Sequence, residues 1–288
     1  MIEMAYRIKF NFKGLMAPVF TFFNDDVDRS VNTDSIADYA EFLSKNGIKG
    51  VLVNGTTGEG PVMSVKERKL VTEAWKKCCQ KLGLTLMVQI GGAPLPDVID
   101  LAKHAESIKV DAILCLPDLY FKPKTVDHLV LYLQNIARYC SNIPILYYHI
   151  PMFTGLNLHM PTFCESAEKN IVNFVGLKYT SGDLDQGSDC LKEGRSVFLG
   201  ADTILSGALT LGFDSAIMTT LNIRPELAVQ IMNAMSKGQI KEAQRLQKEL
   251  TDFVKHTLQI GGGEWVPSMK KIFNIERKIN AGPVRIID

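Results

Sequence analysis

A closed barrel of eight parallel strands, each followed by a helix, is the fold class this sequence predicts, with a helical extension after it. Three observations point there. Short apolar runs alternate with amphipathic stretches from residue 14 to about residue 235. The apolar runs are nearly continuous, as in strands covered on both faces. The length, 288 residues, suits one (β/α)8 unit. Strictly alternating strand–helix units imply a parallel sheet, and eight of them imply closure. The rival is an open doubly wound sheet. No GxGxxG follows the first strand, and "VQIGGAP" after the third lacks that spacing.

The elements follow in order. "GLMAPVFTFF" (14–23) reads as the first strand, and "TDSIADYAEFLSKNG" (33–47) as a helix opened by Thr33 or Asp34 and closed by Gly47. "IKGVLVNG" (48–55) is the second strand. The helix over 64–83 starts at Ser64, and Glu67 three residues on makes a capping box. "LTLMVQIGG" and "LPDVIDLAKHAESIK" form the third pair. "VDAILCLP" precedes a helix near 125–140, and "IPILYYHI" a short one near 161–168. "NFVGLKYT" precedes a helix near 184–192, and "RSVFLGAD" one near 203–211. "FDSAIMTT" and a helix from about Arg224 to Met235 complete the eighth pair. Beyond it, Ile240, Ala243, Leu246, Leu250, Phe253, Val254 and Leu258 recur at helical spacing. "GGGEW" then interrupts the chain before "VPSMKKIFNI". The expected division is a catalytic barrel over 1–236 and a helical extension over 237–288 packed on it, with no obvious chemistry of its own.

Composition narrows the function classes. Net charge is +1 with acids and bases interspersed, which argues against nucleic acid or an anionic membrane as partner. No apolar run approaches the roughly 18–20 residues that span a bilayer. The start, "MIEMAYRIKFNFKG", has no apolar core or small-residue cleavage pattern, so no leader is expected. Six cysteines are scattered without a CxxC pair, which suits reduced thiols in the cytoplasm. The five histidines show no metal-binding spacing, and the lysine chemistry read below supplies its own electron sink, so neither a metal nor an organic cofactor is expected.

The chemistry is expected at the C-terminal ends of the strands. There "NFVGLKYTSGD" (173–183) sets Lys178 at the tip of an apolar strand. Side-chain alternation puts Phe174, Gly176 and Lys178 on one face, and Gly176 would leave space below the lysine. An amine among apolar walls is disfavoured as an ammonium and becomes a nucleophile, which suggests a Schiff base with a ketone. A surface lysine at a strand end is the plain alternative. The second strand closes with "VNGTTGEG", where Thr56 and Thr57 in a glycine-framed loop offer amides and hydroxyls to an anion such as a carboxylate. The fifth closes with "LYYHIP", where Tyr148 shares a face with Leu146 and points a phenol into the mouth. Together these are the parts needed to handle a 2-oxo acid.

"NGTTGE", "YYHIP" and "GLKYTSGD", at these spacings, resemble the N-acetylneuraminate lyase and dihydrodipicolinate synthase family of class I aldolases, over essentially the whole chain. The resemblance implies a (β/α)8 barrel with C-terminal helices, assembled as a homotetramer. Two branches separate. The synthases carry an arginine two residues after the proline of the tyrosine motif, and Phe153 stands there. The lyases read "QTSGD" after the lysine, close to "YTSGD" here. Both features favour the lyase branch, whose substrate is sialic acid and whose products are pyruvate and N-acetylmannosamine.

Residue by residue, the resemblance implies Lys178 as the Schiff-base lysine and Tyr148 as the proton-transfer residue. Thr56 and Thr57 hold the pyruvate carboxylate, with the Thr57 hydroxyl positioning Tyr148. Thr180, Gly200, Asp202 and Thr219 face the sugar half, although Asp202 reads equally as a helix N-cap. Two departures fall in that half. Thr203 stands where lyases have glutamate, and Met218 where they have glycine, so a thioether should intrude on the aldehyde. The alternatives are an aldolase of another 2-oxo acid and aldehyde pair, and a 2-oxo acid binding protein with reduced turnover.

Overall fold

The computed structural model describes residues 7–286. Residues 1–6, in the stretch expected to hold no leader, and 287–288, at the end of the expected extension, lie outside the described residues. Ten strands form in chain order: β1 (Gly14–Pro18), β2 (Phe22–Phe23), β3 (Val31–Asn32), β4 (Gly50–Val53), β5 (Thr85–Gln89), β6 (Ala112–Cys115), β7 (Ile145–His149), β8 (Phe174–Tyr179), β9 (Ser196–Leu199) and β10 (Ser215–Ile217). Eight of them close a parallel barrel in the order β1-β10-β9-β8-β7-β6-β5-β4. β2 and β3 pair antiparallel beside it. The first predicted strand is therefore two elements. β1 ends at Pro18, which has no N–H for a ladder, and Phe22 and Phe23 join the separate hairpin.

Between the strands run α1 (Ile36–Lys45), α2 (Val65–Leu82), α3 (Leu95–Ser107), α4 (Val126–Ala137), the one-turn α5 (Pro151–Thr154), α6 (Met160–Asn170), α7 (Leu184–Asp189), α8 (Leu205–Thr210) and α9 (Pro225–Ser236). α2 starts as its sequence requires: Ser64 Oγ accepts from the Glu67 amide while Glu67 accepts from the Ser64 amide. It stops at Gly83, which adopts φ +67°. α1 begins later than expected, after Ser35, and neither Thr33 nor Asp34 caps it.

Two cores result. The barrel lumen holds Met16, Leu52, Met87, Leu114, Leu146, Val175, Phe198 and Ile217, with Phe10 and Phe12 packed against them. The larger core lies between strands and helices. After the barrel, α10 (Ile240–Gly261) packs on α9, and α11 (Trp265–Glu276) packs on α10. Among the described residues no helix is long and apolar enough to cross a membrane.

Candidate active site

A cavity of about 350 Å³ opens at the C-terminal ends of the strands. It is lined by all eight residues singled out from the sequence: Thr56, Thr57, Tyr148, Lys178, Thr180, Gly200, Asp202 and Thr219.

Lys178 reaches it through an irregular strand. β8 does not alternate as the sequence suggested: Phe174 packs outward into the strand–helix core, and Val175 faces the lumen. The register of β8 on β7 slips, Ile145 pairing with Phe174 but Leu146 with Gly176. Val175 is thus an inserted residue, and the bulge re-aims the side chains after it. Gly176 absorbs the distortion at φ +151°, where a Cβ would lie 1.9 Å from the Ser196 carbonyl oxygen. Its missing side chain makes room for the neighbouring strand's backbone, not for the lysine. Lys178 then sits 5% exposed among apolar walls.

Lys178 Nζ donates to the Tyr148 phenol at 3.1 Å and lies 4.3 Å from that ring's centroid. Tyr148 is 1% exposed and faces the lumen with Leu146. Its oxygen is also 3.1 Å from Thr56 Oγ1. The sequence assigns that contact to Thr57, and the structure corrects it. Thr57 Oγ1 lies instead 2.9 Å from Thr219 Oγ1. The two adjacent threonines therefore face different partners, one toward the lysine and one toward the far wall.

The loop that carries them is fixed by its backbone. Asn54 adopts φ +58° and is held by its side-chain amide, which donates to the Arg68 carbonyl and to Thr72 Oγ1. Its carbonyl accepts from the Gln89 side chain. A Cβ on Gly60 would lie 1.9 Å from that same Asn54 oxygen, so the turn closes only over glycine. Glu59, buried at φ +54°, ties the loop to the end of the chain. One carboxylate oxygen pairs with buried Lys270 at 3.0 Å, and the other accepts the Arg285 and Ile286 amides at 2.7 and 3.1 Å. Lys270 also donates to the Thr21 and Pro283 carbonyls.

The opposite wall differs from expectation. Met218 is fully buried but belongs to the strand–helix core, while its neighbours Ile217 and Thr219 face the cavity. Alternation along the strand end turns the thioether outward, so it does not intrude. Asp202 is not an N-cap; Ala201 takes that position, and the Asp202 carboxylate accepts the Thr220 amide at 2.8 Å. Burial pushes its carboxyl above the usual value, against the pull of the Thr220 hydrogen bonds. Thr180 Oγ1 is buried with no hydrogen-bond partner among the described residues. Its place is cut out by Gly200, where a Cβ would lie 1.9 Å from that hydroxyl. A free hydroxyl on a cavity wall is a group waiting for a ligand. Thr203 lines the rim and is exposed.

His149, next to Tyr148, faces the other way. It is buried against the Tyr179 ring at 5.0 Å, and burial pushes it down to about 4, against Asp183. Sequence reasoning missed Trp265, Met152 and Ile204 as cavity walls, while Phe153, used there to separate the two branches, also lines the cavity. Trp265 opens α11, in the region read as having no chemistry, and its indole N–H donates to Thr219 Oγ1 at 3.1 Å. Its only signal is an aromatic after the "GGGE" interruption. Among the described residues, no three His, Cys, Asp or Glu side chains converge to hold a metal ion.

With this geometry in view, comparison with known proteins is specific. Residues 11–272 match the dihydrodipicolinate synthetase family. N-acetylneuraminate lyase A of Xenopus laevis is 34% identical over 98% of this chain and 92% of its own. The solved structure of N-acetylneuraminate lyase (sialic acid aldolase) from Aliivibrio salmonicida superposes with a TM-score of 0.89 at 34% identity, over 96% of this chain and 90% of that one. That of Proteus mirabilis N-acetylneuraminate lyase gives 0.88 at 31%, over 95% and 91%.

Proposed function

Because this chain belongs to the dihydrodipicolinate synthetase family, we propose that it is a Schiff-base carbon–carbon lyase cleaving N-acetylneuraminate to pyruvate and N-acetylmannosamine. The observation that carries the reading is the hydrogen-bonded line Lys178–Tyr148–Thr56, opening on the same cavity as Thr57 and the unpartnered Thr180 hydroxyl. The names of the relatives supply the sugar.

The steps come from the chemistry of an amine and a 2-oxo acid. Lys178 Nζ attacks the C2 carbonyl of the open-chain sugar acid, and water leaves to give a protonated imine. Thr57 and the loop amides take the carboxylate; among the described residues, the Thr56, Thr57 and Gly58 amides donate to no group of the chain. Tyr148 takes the C4 hydroxyl proton as the C3–C4 bond breaks. The bonding electrons pass into the iminium and leave an enamine. The C4 carbon departs as the aldehyde of N-acetylmannosamine. Protonation of the enamine at C3 and hydrolysis of the imine release pyruvate and the free lysine. Thr180, the Gly200 backbone, Asp202 and Thr219 serve the sugar half.

Self-association to a homotetramer belongs to the same reading. Tyr120 and Phe121, on the loop after β6, and Met152 and Phe153, in α5, are exposed apolar side chains that an assembly would cover. A cytoplasmic location suits its six free thiols. Met218, turned outward, gives no reason to favour another aldehyde.

Two measurements test the reading. Borohydride with pyruvate should leave one adduct per chain, on Lys178. Turnover should be highest with N-acetylneuraminate in a panel of 2-oxo sugar acids. An adduct on another lysine would overturn the mechanism, and faster cleavage of a different acid would overturn the substrate.

A further inference from the structure

Two separate hydroxyl chains meet at the Thr56–Thr57 loop. One runs Thr56–Tyr148–Lys178, and the other runs Thr57–Thr219–Trp265. The mechanism above uses Thr57 and Thr219 singly but gives no part to the bond between them or to Trp265, and this terminal member decides the chain's direction.

Two facing threonine hydroxyls have no inherent order, since either oxygen can donate to the other. An indole N–H can only donate. Trp265 therefore makes Thr219 Oγ1 an acceptor, at 3.1 Å. Accepting a hydrogen bond polarises a hydroxyl and strengthens its own donation. The Thr219 proton has Thr57 Oγ1 within reach at 2.9 Å, in a site where both threonines are buried. With that bond made, Thr57 is the acceptor, and its own O–H is left to point into the cavity. Either order leaves one hydroxyl proton facing the cavity, so the polarisation of Thr219 by the indole is what favours Thr219 as the donor.

We propose that Trp265 is a positioning residue: through Thr219 it sets the Thr57 hydroxyl as a donor aimed at the substrate carboxylate. A carboxylate can only accept, so a hydroxyl facing it must arrive with its proton forward. The inference rests on the proposed function in one respect, that Thr57 serves the carboxylate. It also gives the helical extension a part in binding that its sequence does not announce, because α11 begins with this tryptophan.

The effect belongs to carboxylate binding and not to proton transfer, which runs through the other chain. Trp265→Phe keeps an aromatic ring and removes the N–H. In borohydride trapping, its half-saturating pyruvate concentration should rise about three- to tenfold, the worth of one neutral hydrogen bond. The limiting trapping rate and kcat should stay within about twofold. Thr219→Val, which breaks the relay at its middle, should raise the same half-saturation at least as much. The double variant should match Thr219→Val alone, because the tryptophan then has nothing to act through. Unchanged pyruvate half-saturation in Trp265→Phe, or losses that simply add in the double variant, would overturn the relay while leaving the lyase reading intact. If Trp265→Phe does not fold, an unchanged half-saturation in Thr219→Val alone would overturn it. Failure of the native protein to trap pyruvate would overturn the parent reading, and this one with it.

Discussion

At the scale of single residues, the proton carrier we propose and the histidine beside it are told apart by the way each faces. Tyr148 lies within hydrogen-bond reach of both Lys178 and Thr56, so Tyr148→Phe should cut turnover by about 10²–10⁴-fold while pyruvate still traps on the lysine. Stopped-assay turnover and mass spectrometry of the adduct check the two halves separately. His149, its neighbour, is buried facing away, with Nδ1 unpartnered. Burial holds it neutral down to about pH 4, from an ordinary value of 6.5. The unfolded chain therefore binds the proton first as pH falls. Stability is whole above about 6.5, declines toward about 4 and is level below, a loss of about 3 kcal/mol from this group. Urea unfolding across that range should show the slope, and His149→Phe should flatten it. Lys178, Tyr148 and the two threonines are legible in the sequence because strand ends and glycine loops carry strong local signals. Which threonine meets Tyr148 is not, since neighbouring side chains diverge by an angle that only the folded loop sets. Met218 departs from expectation for a related reason: a residue substitution is visible in sequence, but the face it occupies is not.

At the scale of elements, alternation is the main guide, and it fails where a strand is bulged. β8 inserts Val175, so the face counted back from Lys178 is off by one at Phe174. Nothing in "NFVGLKYT" announces this except the glycine, which reads in sequence as empty space. Gly176→Ala tests the corrected view. A Cβ would strike the Ser196 carbonyl oxygen at φ +151°, so the bulge must relax or the strands part. The variant should lose roughly 2–4 kcal/mol of stability, in line with overpacking and backbone strain together. Its remaining folded fraction should trap pyruvate more slowly, because Lys178 is re-aimed. Thermal unfolding and trapping kinetics read the two effects. By contrast α2 is legible to the residue at both ends, because its capping box and its Gly83 stop are interactions within a few positions of each other.

At the scale of the whole molecule, the barrel's order can be read from eight repeats of one pattern, but its cross-ties cannot. Glu59 and Arg285 are 226 positions apart, and the pair leaves no trace in periodicity. The helices after the barrel look inert in sequence for the same reason, although Trp265 and Lys270 both come from α11. A chain ending at Pro283 would lose the Arg285 and Ile286 amides from Glu59 and the Arg285 guanidinium from Glu67. It should melt several degrees lower, as about 1–3 kcal/mol of lost hydrogen bonding to a charged group would give. It should also bind pyruvate more weakly, because the Thr56–Thr57 loop loses its brace. Differential scanning calorimetry and the trapping half-saturation check both. The same brace has a consequence for how the protein is made. A ribosome exposes residue 59 long before residues 270, 285 and 286. Until they emerge, the Glu59 carboxylate has no cation, and burying it alone is strongly disfavoured. The Thr56–Thr57 loop is therefore completed only by residues translated more than two hundred positions after it. Translation that stops before residue 270 leaves a polypeptide holding every side chain proposed for catalysis and a Thr56–Thr57 loop that has not yet closed.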